Sequence, residues 1–503
     1  LKAIYLPAGR TVWINVANYL KDNNVDVRIW LGDPILDEAA KEIYPNCNVE
    51  SFFQVNKGEL GERNLKCAPG KDILTNPKFY ILKDKVYKIM DRQDDERKFG
   101  RLEREAVFYS IFNYYYDMVI TEEIEILIAS EAPHATAGMI LYGICEMLEI
   151  PTYHLMTAGV APLAHVCKDF YGDTIEVKRE NSDEIKLFSQ VLTDYVHSFS
   201  SIPKEPEYMT NQKNYDGKKS KFAIVRYLEL LGKGFRYSNK SRIKTTYTIN
   251  KTFFKSNNNR SVFSKIRTDA IHSKLEKAYY DNISSVSFDG DYVFYPLHYE
   301  PEKTSTPDGG HYYQVYDAVS ALRSFVPVHI PIYVKEHYSQ FTRMLPGYRG
   351  KSPYLYNALK SLPNVHLIEP TLESSKLVRN ALLTVSQTGT ACLEAACYEK
   401  KSILMGATWF SGTPNVYCFN ELSSFDDLMA SDIKSREEIA KSMMDWLEKK
   451  AIVGCVNPSM EGYFLKKFPD DRYATMFDDE LMAKRFIDTI LADVSQNNRC
   501  NRA

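Results

Sequence analysis

Charge of one sign is what this chain lacks. Lysine and arginine number 63 against 65 aspartates and glutamates, a formal net charge of −2, so no global field draws the chain to nucleic acid. Apolar runs of membrane-spanning length are missing too, since none approaches the ~20 residues needed to cross a bilayer. Cysteine is sparse: nine residues with no pair at metal-ligand spacing read as reduced and intracellular, not as a disulfide framework. The sequence holds no Gly-x-x-x-x-Gly-Lys-Ser/Thr loop, no Gly-x-Ser-x-Gly elbow and no His-Glu-x-x-His motif, and its ten histidines are scattered. These absences set aside P-loop ATP hydrolysis, elbow-type serine hydrolysis and zinc proteolysis. No metal and no bound cofactor are expected.

What is present is apolar material for more than one core, 44% of 503 residues. The chain opens as strand, loop, helix and strand over 4–6, 7–10, 11–21 and 25–30. A segment rich in both charges, 90–107, runs into an aromatic stretch ending near 116 and predicts one long helix with a wet beginning. A further unit places a strand at 124–130, its exit loop at 131–134, a helix at 136–148 and a strand at 151–155. Gly138 and Gly143 fall inside that helix and form no nucleotide fingerprint. A second alternating series begins near 286, with strands at 292–297, 330–335, 365–368, 382–386 and 402–405. Such alternation predicts an α/β chain whose parallel sheets carry helices on both faces. We expect a first domain over 1–285, including a basic insertion near 206–275. A second domain covers 286–450, and a helical segment over 451–503 packs back on the first. Within the insertion, 211–260 holds 13 basic residues and only two acids, Asp216 and Glu229. It reads either as a solvated insertion or as a surface for anionic lipid or an anionic polymer.

Candidate chemistry gathers at strand ends. In VSQTGTACLEAA (385–396), Ser386, Thr388 and Thr390 offer hydroxyls, Gly389 permits a close turn, and the helix that follows presents free N–H groups to an anion. Glu394, one turn in, is placed to accept from a ribose. Lys335 and His337 close another strand and would share a face if it continued that far. Arg343 and Arg349 follow in a glycine-containing loop able to close on negative charge. The loop after the first strand of the second domain carries His298, Glu300 and Glu302, then Asp308, and these acids either orient a sugar or cap turns. Glu131 and His134 occupy the equivalent edge of the first domain, where a carboxylate facing a phosphate site would serve as general base on a hydroxyl. Glu131 also fits as an ordinary helix cap.

Five stretches of the second domain, in order, resemble the bacterial capsule polysaccharide biosynthesis family, glycosyltransferase-like proteins that include the capsule Kdo transferases. They are YPLHYEPE (295–302), YVKEH (333–337), NVHLIEP (364–370), SQTGTA (386–391) and KKSILMG (400–406). SEAPH (130–134) with LEIPT (148–152) is a weaker match, and 160–285 adds almost nothing. The resemblance implies a GT-B-like fold, two Rossmann-like domains facing across a cleft with the nucleotide held by the second. It maps the family's histidine onto His337, where Tyr338 replaces the usual proline, and its phosphate-contacting hydroxyls onto Ser386, Thr388 and Thr390. The acidic Asp/Glu-Gly motif of related enzymes has no clear counterpart. The expectation is therefore a glycosyltransferase moving a sugar from a nucleotide-sugar donor onto a saccharide or lipid-linked glycan acceptor. A CMP-linked ulosonic acid is preferred over a UDP-sugar as donor. The alternatives are a nucleotide-sugar epimerase and a non-catalytic glycan-binding or assembly protein. The expected place is the cytoplasm, peripheral at the inner membrane through 211–260.

Overall fold

The computed structural model describes residues 1–94, 97, 99–177, 183–199, 212, 262–342, 344–468 and 478–500. Apart from Gln212, the basic stretch 211–260 lies outside the described residues, as does Arg343.

Two sheets organise the chain. The first contains β1 (Lys2–Leu6), β2 (Asp26–Gly32), β3 (Asn48–Ser51), β4 (Ile126–Ala129), β5 (Thr152–Ala158), β6 (Leu163–Cys167) and, from far along the chain, β13 (Ile452–Val453). Their order is β13-β6-β5-β4-β1-β2-β3. The second contains β7 (Val293–Pro296), β8 (Ile332–Lys335), β9 (Val365–Ile368), β10 (Leu383–Ser386), β11 (Ser402–Leu404) and β12 (Val416–Cys418). These are ordered β12-β11-β10-β7-β8-β9 and parallel throughout. In the first sheet only the β5–β6 and β6–β13 pairs are antiparallel. Both sheets follow the doubly wound order 3-2-1-4-5-6, so each has a switch point between its first and fourth strands.

Strand sequences explain the burial. On β1, Ala3 and Tyr5 face one core with Trp13 and Trp30, while Ile4 and Leu6 face the other with Phe108 and Ile140. On β7, Val293 and Tyr295 face one core, while Phe294 joins Tyr292, the residue just before the strand, in the other. Period-two alternation with both faces apolar is what a sheet covered by helices on both sides requires. The two-domain α/β architecture expected from the alternation is present.

Three features differ from the sequence reading or extend it. The long helix starts at Arg101 and runs to Thr121, because Gly100 is extended; among the described residues of the charged stretch before it, the helical structure is a short 3-10 turn, Met90–Arg92. The helix Val262–Tyr280, ahead of the expected boundary at 285, joins the second core through Leu275 and Tyr279. After the second sheet the chain returns to the first. β13 adds to β6, and the helix Asp479–Cys500 sets Phe486 5.9 Å from Trp13. Arg10 ties this return by ion pairs of 2.9 Å to Glu461 and 3.0 Å to Asp479.

Candidate functional site

At the switch point of the second sheet, the ends of β7 and β10 meet. His298, two residues past β7, brings Nε2 to 3.3 Å from the Ser386 hydroxyl and accepts the Thr388 N–H at 3.2 Å. Because that donor is a backbone amide, Nε2 holds the lone pair and the ring proton sits on Nδ1. Burial pushes the imidazole down to about 4, with the nearby carboxylate of Glu300 opposing it, so the ring is neutral at pH 7. The Ser386 hydroxyl accepts the Gly389 N–H at 3.1 Å, and the Thr388 hydroxyl donates to the Thr304 carbonyl at 2.6 Å. A Cβ on Gly389 would stand 2.6 Å from the Ser386 oxygen, so close approach is what requires glycine here. Within the turn the amides of Thr388 and Gly389 are thus already taken, which leaves the anion to the N–H groups at the start of the helix, where the sequence reading put it. Among the described residues, the amides of Thr390 and Ala391 have no acceptor. The helix they open, Ala391–Cys397, is only seven residues long, so its dipole is a minor contributor.

His337 stands nearby on a platform that was not foreseen. β8 ends at Lys335, so Lys335 and His337 do not share a strand face; Lys335 turns to Ser374, donating at 2.9 Å. Between them Glu336 is fully buried and pairs with the equally buried Lys351 at 2.7 Å. The Glu336 carboxylate also accepts the Tyr356 hydroxyl at 2.7 Å and the His337 N–H at 2.8 Å. Lys351 donates in turn to the His298 carbonyl at 2.8 Å. One ion pair therefore positions both histidines. The His337 Nδ1 accepts the Ser339 N–H at 3.2 Å, which leaves Nε2 as the protonated, donating nitrogen. Burial, reinforced by Lys351 and His298, lowers this imidazole to about 3.

The first domain meets this edge directly. Glu131, just past β4 at the first switch point, pairs with Lys303 of the β7 exit loop at 3.2 Å. Burial pushes the Glu131 carboxyl up, but Lys303 and His134 outweigh it and hold the group below the usual carboxylate range. The His134 ring is drawn down by burial and approaches the Ala132 carbonyl through Nδ1 at 2.9 Å. Arg92 donates to the carbonyls of His134 and Thr306, joining the two domains a second time. Asp308 lies in the same cluster, and its burial pushes the carboxyl up to about 6 against the pull of Lys303 and Arg92. One of its oxygens is buried without a hydrogen-bond partner among the described residues.

Several expected residues take other roles. Glu300 is buried and paired with Lys88 of the first domain at 2.8 Å, so it is a cross-domain anchor and not an open sugar contact. Glu302 caps its own loop by accepting the Thr304 hydroxyl at 2.9 Å. Arg349 donates to the Arg92 carbonyl at 2.9 Å, which fixes its loop against the first domain. Glu394 has Tyr398 and Arg379 as neighbours, and burial raises it to about 7. Lys303, Arg92, Glu336 and Lys351 were missed, since single charges in loops carry no periodicity to mark them.

No family model and no curated protein matches the chain. Among solved structures, UDP-GlcNAc 2-epimerase from Neisseria meningitidis is 12% identical, with 98% of this chain and 100% of that chain covered and a TM-score of 0.20. The KpsC β-Kdo 2,7 transferase of Thermosulfurimonas dismutans is 11% identical over 70% of this chain and 97% of its own, with a TM-score of 0.24. A glycosyltransferase from Rickettsia africae is 10% identical, covers 97% of each chain and has a TM-score of 0.19. Likeness at this level transfers neither a substrate nor a residue role.

Proposed function

We propose that the chain is a glycosyltransferase that moves a sugar from a nucleotide-activated donor onto a surface-polysaccharide acceptor. One observation carries the reading: the switch points of two doubly wound sheets are joined by the Glu131–Lys303 pair beside a turn of hydroxyls and neutral imidazoles. Open α/β sheets bind ligands at such points. In this reading the donor phosphate takes the amides of Thr390 and Ala391 and the Nε2–H of His337, and it draws Lys303 away from Glu131. Burial then acts on Glu131 unopposed by Lys303, raising its pKa and making it a stronger base toward an acceptor hydroxyl. No group of three or more His, Cys, Asp or Glu side chains among the described residues is arranged to hold a metal ion. We assign neutralisation of the leaving nucleotide to Lys303 and Arg92, the cations that stand where the two sheet edges meet.

The ordered resemblance of 295–302, 333–337, 364–370, 386–391 and 400–406 supports a nucleotide-sugar donor, for which we propose a CMP-linked ulosonic acid, with a UDP-sugar next. No helix among the described residues is long and apolar enough to cross a membrane. The place we propose is the cytoplasmic face of the inner membrane, reached through 211–260, where a lipid-linked acceptor would be met. Transfer and hydrolysis measured over CMP-, UDP-, GDP- and dTDP-sugars test the assignment. Turnover with one nucleotide class and an added glycan supports it. Interconversion of free donor without acceptor would make the chain an epimerase, and saccharide binding with no nucleotide affinity would overturn the enzymatic reading.

A further inference from the structure

The exit loop of β7 holds a carboxyl to which the transfer has so far given no part. Asp308 is 7% exposed, and neither of its carboxyl oxygens makes a hydrogen bond or ion pair among the described residues; one of the two is fully buried. A buried carboxylate without donors is costly to keep ionised, so such a group tends to hold a proton. Backbone contacts clamp this loop to the anion turn. The Thr388 hydroxyl reaches the Thr304 carbonyl at 2.6 Å, and the Gly406 N–H donates to the Gln387 carbonyl at 2.8 Å. The Asp308 carbonyl lies so near Gly406 that a Cβ there would stand 2.5 Å from its oxygen. Asp308 thus belongs to the second-domain wall of the junction and Glu131 to the first-domain wall. Lys303 is tied to both: its ammonium pairs with Glu131 at 3.2 Å, and its carbonyl accepts the Asp308 N–H at 3.2 Å.

Charged and titratable groups face Asp308 from several elements. Lys303 and Glu302 share its loop, Arg92 and Glu131 act on it from the first domain, and the Cys167 thiol, kept protonated by burial, faces it from β6. Burial raises the carboxyl to about 6 even against the two cations, whereas Lys303 and His134 hold Glu131 below the usual carboxylate range. A donor phosphate engaging Lys303 and Arg92 would offset their charge and raise Asp308 further. Two carboxyls whose surroundings push them apart in this way divide into an acid and a base. The imidazoles are poor rivals for the acid, since His298 and His337 titrate at about 4 and about 3. Glu394, raised to about 7, has Tyr398 and Arg379 as its neighbours and not this junction. We propose, resting on the transferase reading above, that Asp308 is the general acid of the transfer and protonates the phosphate oxygen that leaves the anomeric carbon. The bond between that carbon and that oxygen breaks with its electron pair passing to the phosphate, which takes the Asp308 proton. The acceptor oxygen bonds to the anomeric carbon and gives its own proton to Glu131. Asp308 ends as a carboxylate facing Lys303 and Arg92, and exchange with water returns its proton and removes the one on Glu131.

The pH dependence of kcat/KM, measured on the full chain with whichever nucleotide sugar of the CMP, UDP, GDP and dTDP series it turns over best, provides the test. In the unmodified chain kcat/KM should fall about tenfold per pH unit above about pH 6, as Asp308 loses its proton in the free enzyme, while Glu131 sets an acidic limb at lower pH. Asp308→Asn should lower kcat/KM by about 10²-fold near pH 6 and remove the alkaline limb between about pH 6 and 8. Asp308→Glu, which keeps a transferable proton, should restore that limb. An alkaline limb that persists in folded Asp308→Asn overturns the assignment. So does the absence of such a limb from the unmodified chain, a result that depends on no variant folding. If the unmodified chain turns over none of the nucleotide sugars, the transferase reading itself fails and the acid role fails with it; turnover with the wrong pH profile removes Asp308 alone.

Discussion

Replacing Glu336 with glutamine changes one charge and almost no volume, which makes it a sharp probe of the platform beneath the two histidines. The carboxylate is 0% exposed and accepts from Lys351 and Tyr356 at 2.7 Å and from the His337 amide at 2.8 Å. In Glu336→Gln, Lys351 keeps the His298 carbonyl at 2.8 Å but becomes a buried ammonium without a counter-charge. Breaking one partner of such a pair costs about 3–5 kcal/mol. A domain of 150–250 residues loses roughly 2–4 °C for each kcal/mol, so the second-domain transition should fall by about 6–20 °C. Differential scanning calorimetry reads that shift directly. Adding Lys351→Met should restore much of it, because the orphan charge is gone and an apolar stem fills the space. A single-mutant loss under about 2 °C, or a double mutant worse than the sum of the singles, would refute the account of Glu336–Lys351 as the support of the site.

The remaining expectations concern the site and the basic stretch. Glu131→Gln should retain donor affinity while turnover falls by about 10²-fold or more, as for loss of a positioned base; unaltered turnover moves that role elsewhere. Gly389→Val should weaken nucleotide binding measured by calorimetry, since its Cβ would press on the Ser386 oxygen now 2.6 Å away; unchanged affinity in a folded variant removes the turn from the site. His298 and His337 have folded pKa values of about 4 and about 3, below the usual ~6.5 of an unfolded histidine. The unfolded chain therefore binds protons first, and their stabilisation, complete above pH ~6.5, is lost as pH falls toward 4, with Asp308 opposing it. His337→Gln should flatten the fall in Tm between pH 6.5 and 4, and an unchanged slope would contradict the neutral assignment. Neutralising several lysines and arginines of 211–260 should weaken sedimentation with anionic vesicles, most at low salt, whereas equal sedimentation would make the stretch a plain solvated insertion.

The strand ends were legible because parallel strands covered on both faces leave dense apolar runs, and the first polar residues after them mark the sheet edge. His298 and Ser386 were found that way, although their contact joins residues 88 apart and no spacing announces it. Glu131 was placed at the right edge, but its partner Lys303 was invisible because a loop lysine looks the same whether it meets solvent or another domain. Arg92 was hidden for the opposite reason. Its surroundings in 90–107 are so charged that they suggested the wet start of a helix, while Gly100 cuts that helix off at Arg101. Glu336 lay inside the sequence already singled out for Lys335 and His337. Its burial depends on Lys351 and Tyr356 arriving from a later helix and loop, so a local reading favoured its neighbours.

The short strand β13 has a consequence for how the molecule can be cut and how it can move. Because Ile452 and Val453 extend the first sheet after the second is complete, the first domain is assembled from both ends of the chain. Ending the polypeptide after the second sheet would strip β6 of its outer neighbour and uncover Trp13, whose ring meets Phe486 and whose indole N–H donates to the Val456 carbonyl at 2.9 Å. A piece cut that way would carry a bare sheet edge beside apolar surface, the combination that draws chains into aggregates. The same return makes the connection between domains double. Two covalent crossings resist sliding and leave rotation about the line through them as the easy motion, so any opening at Glu131–Lys303 swings like a door with two hinges.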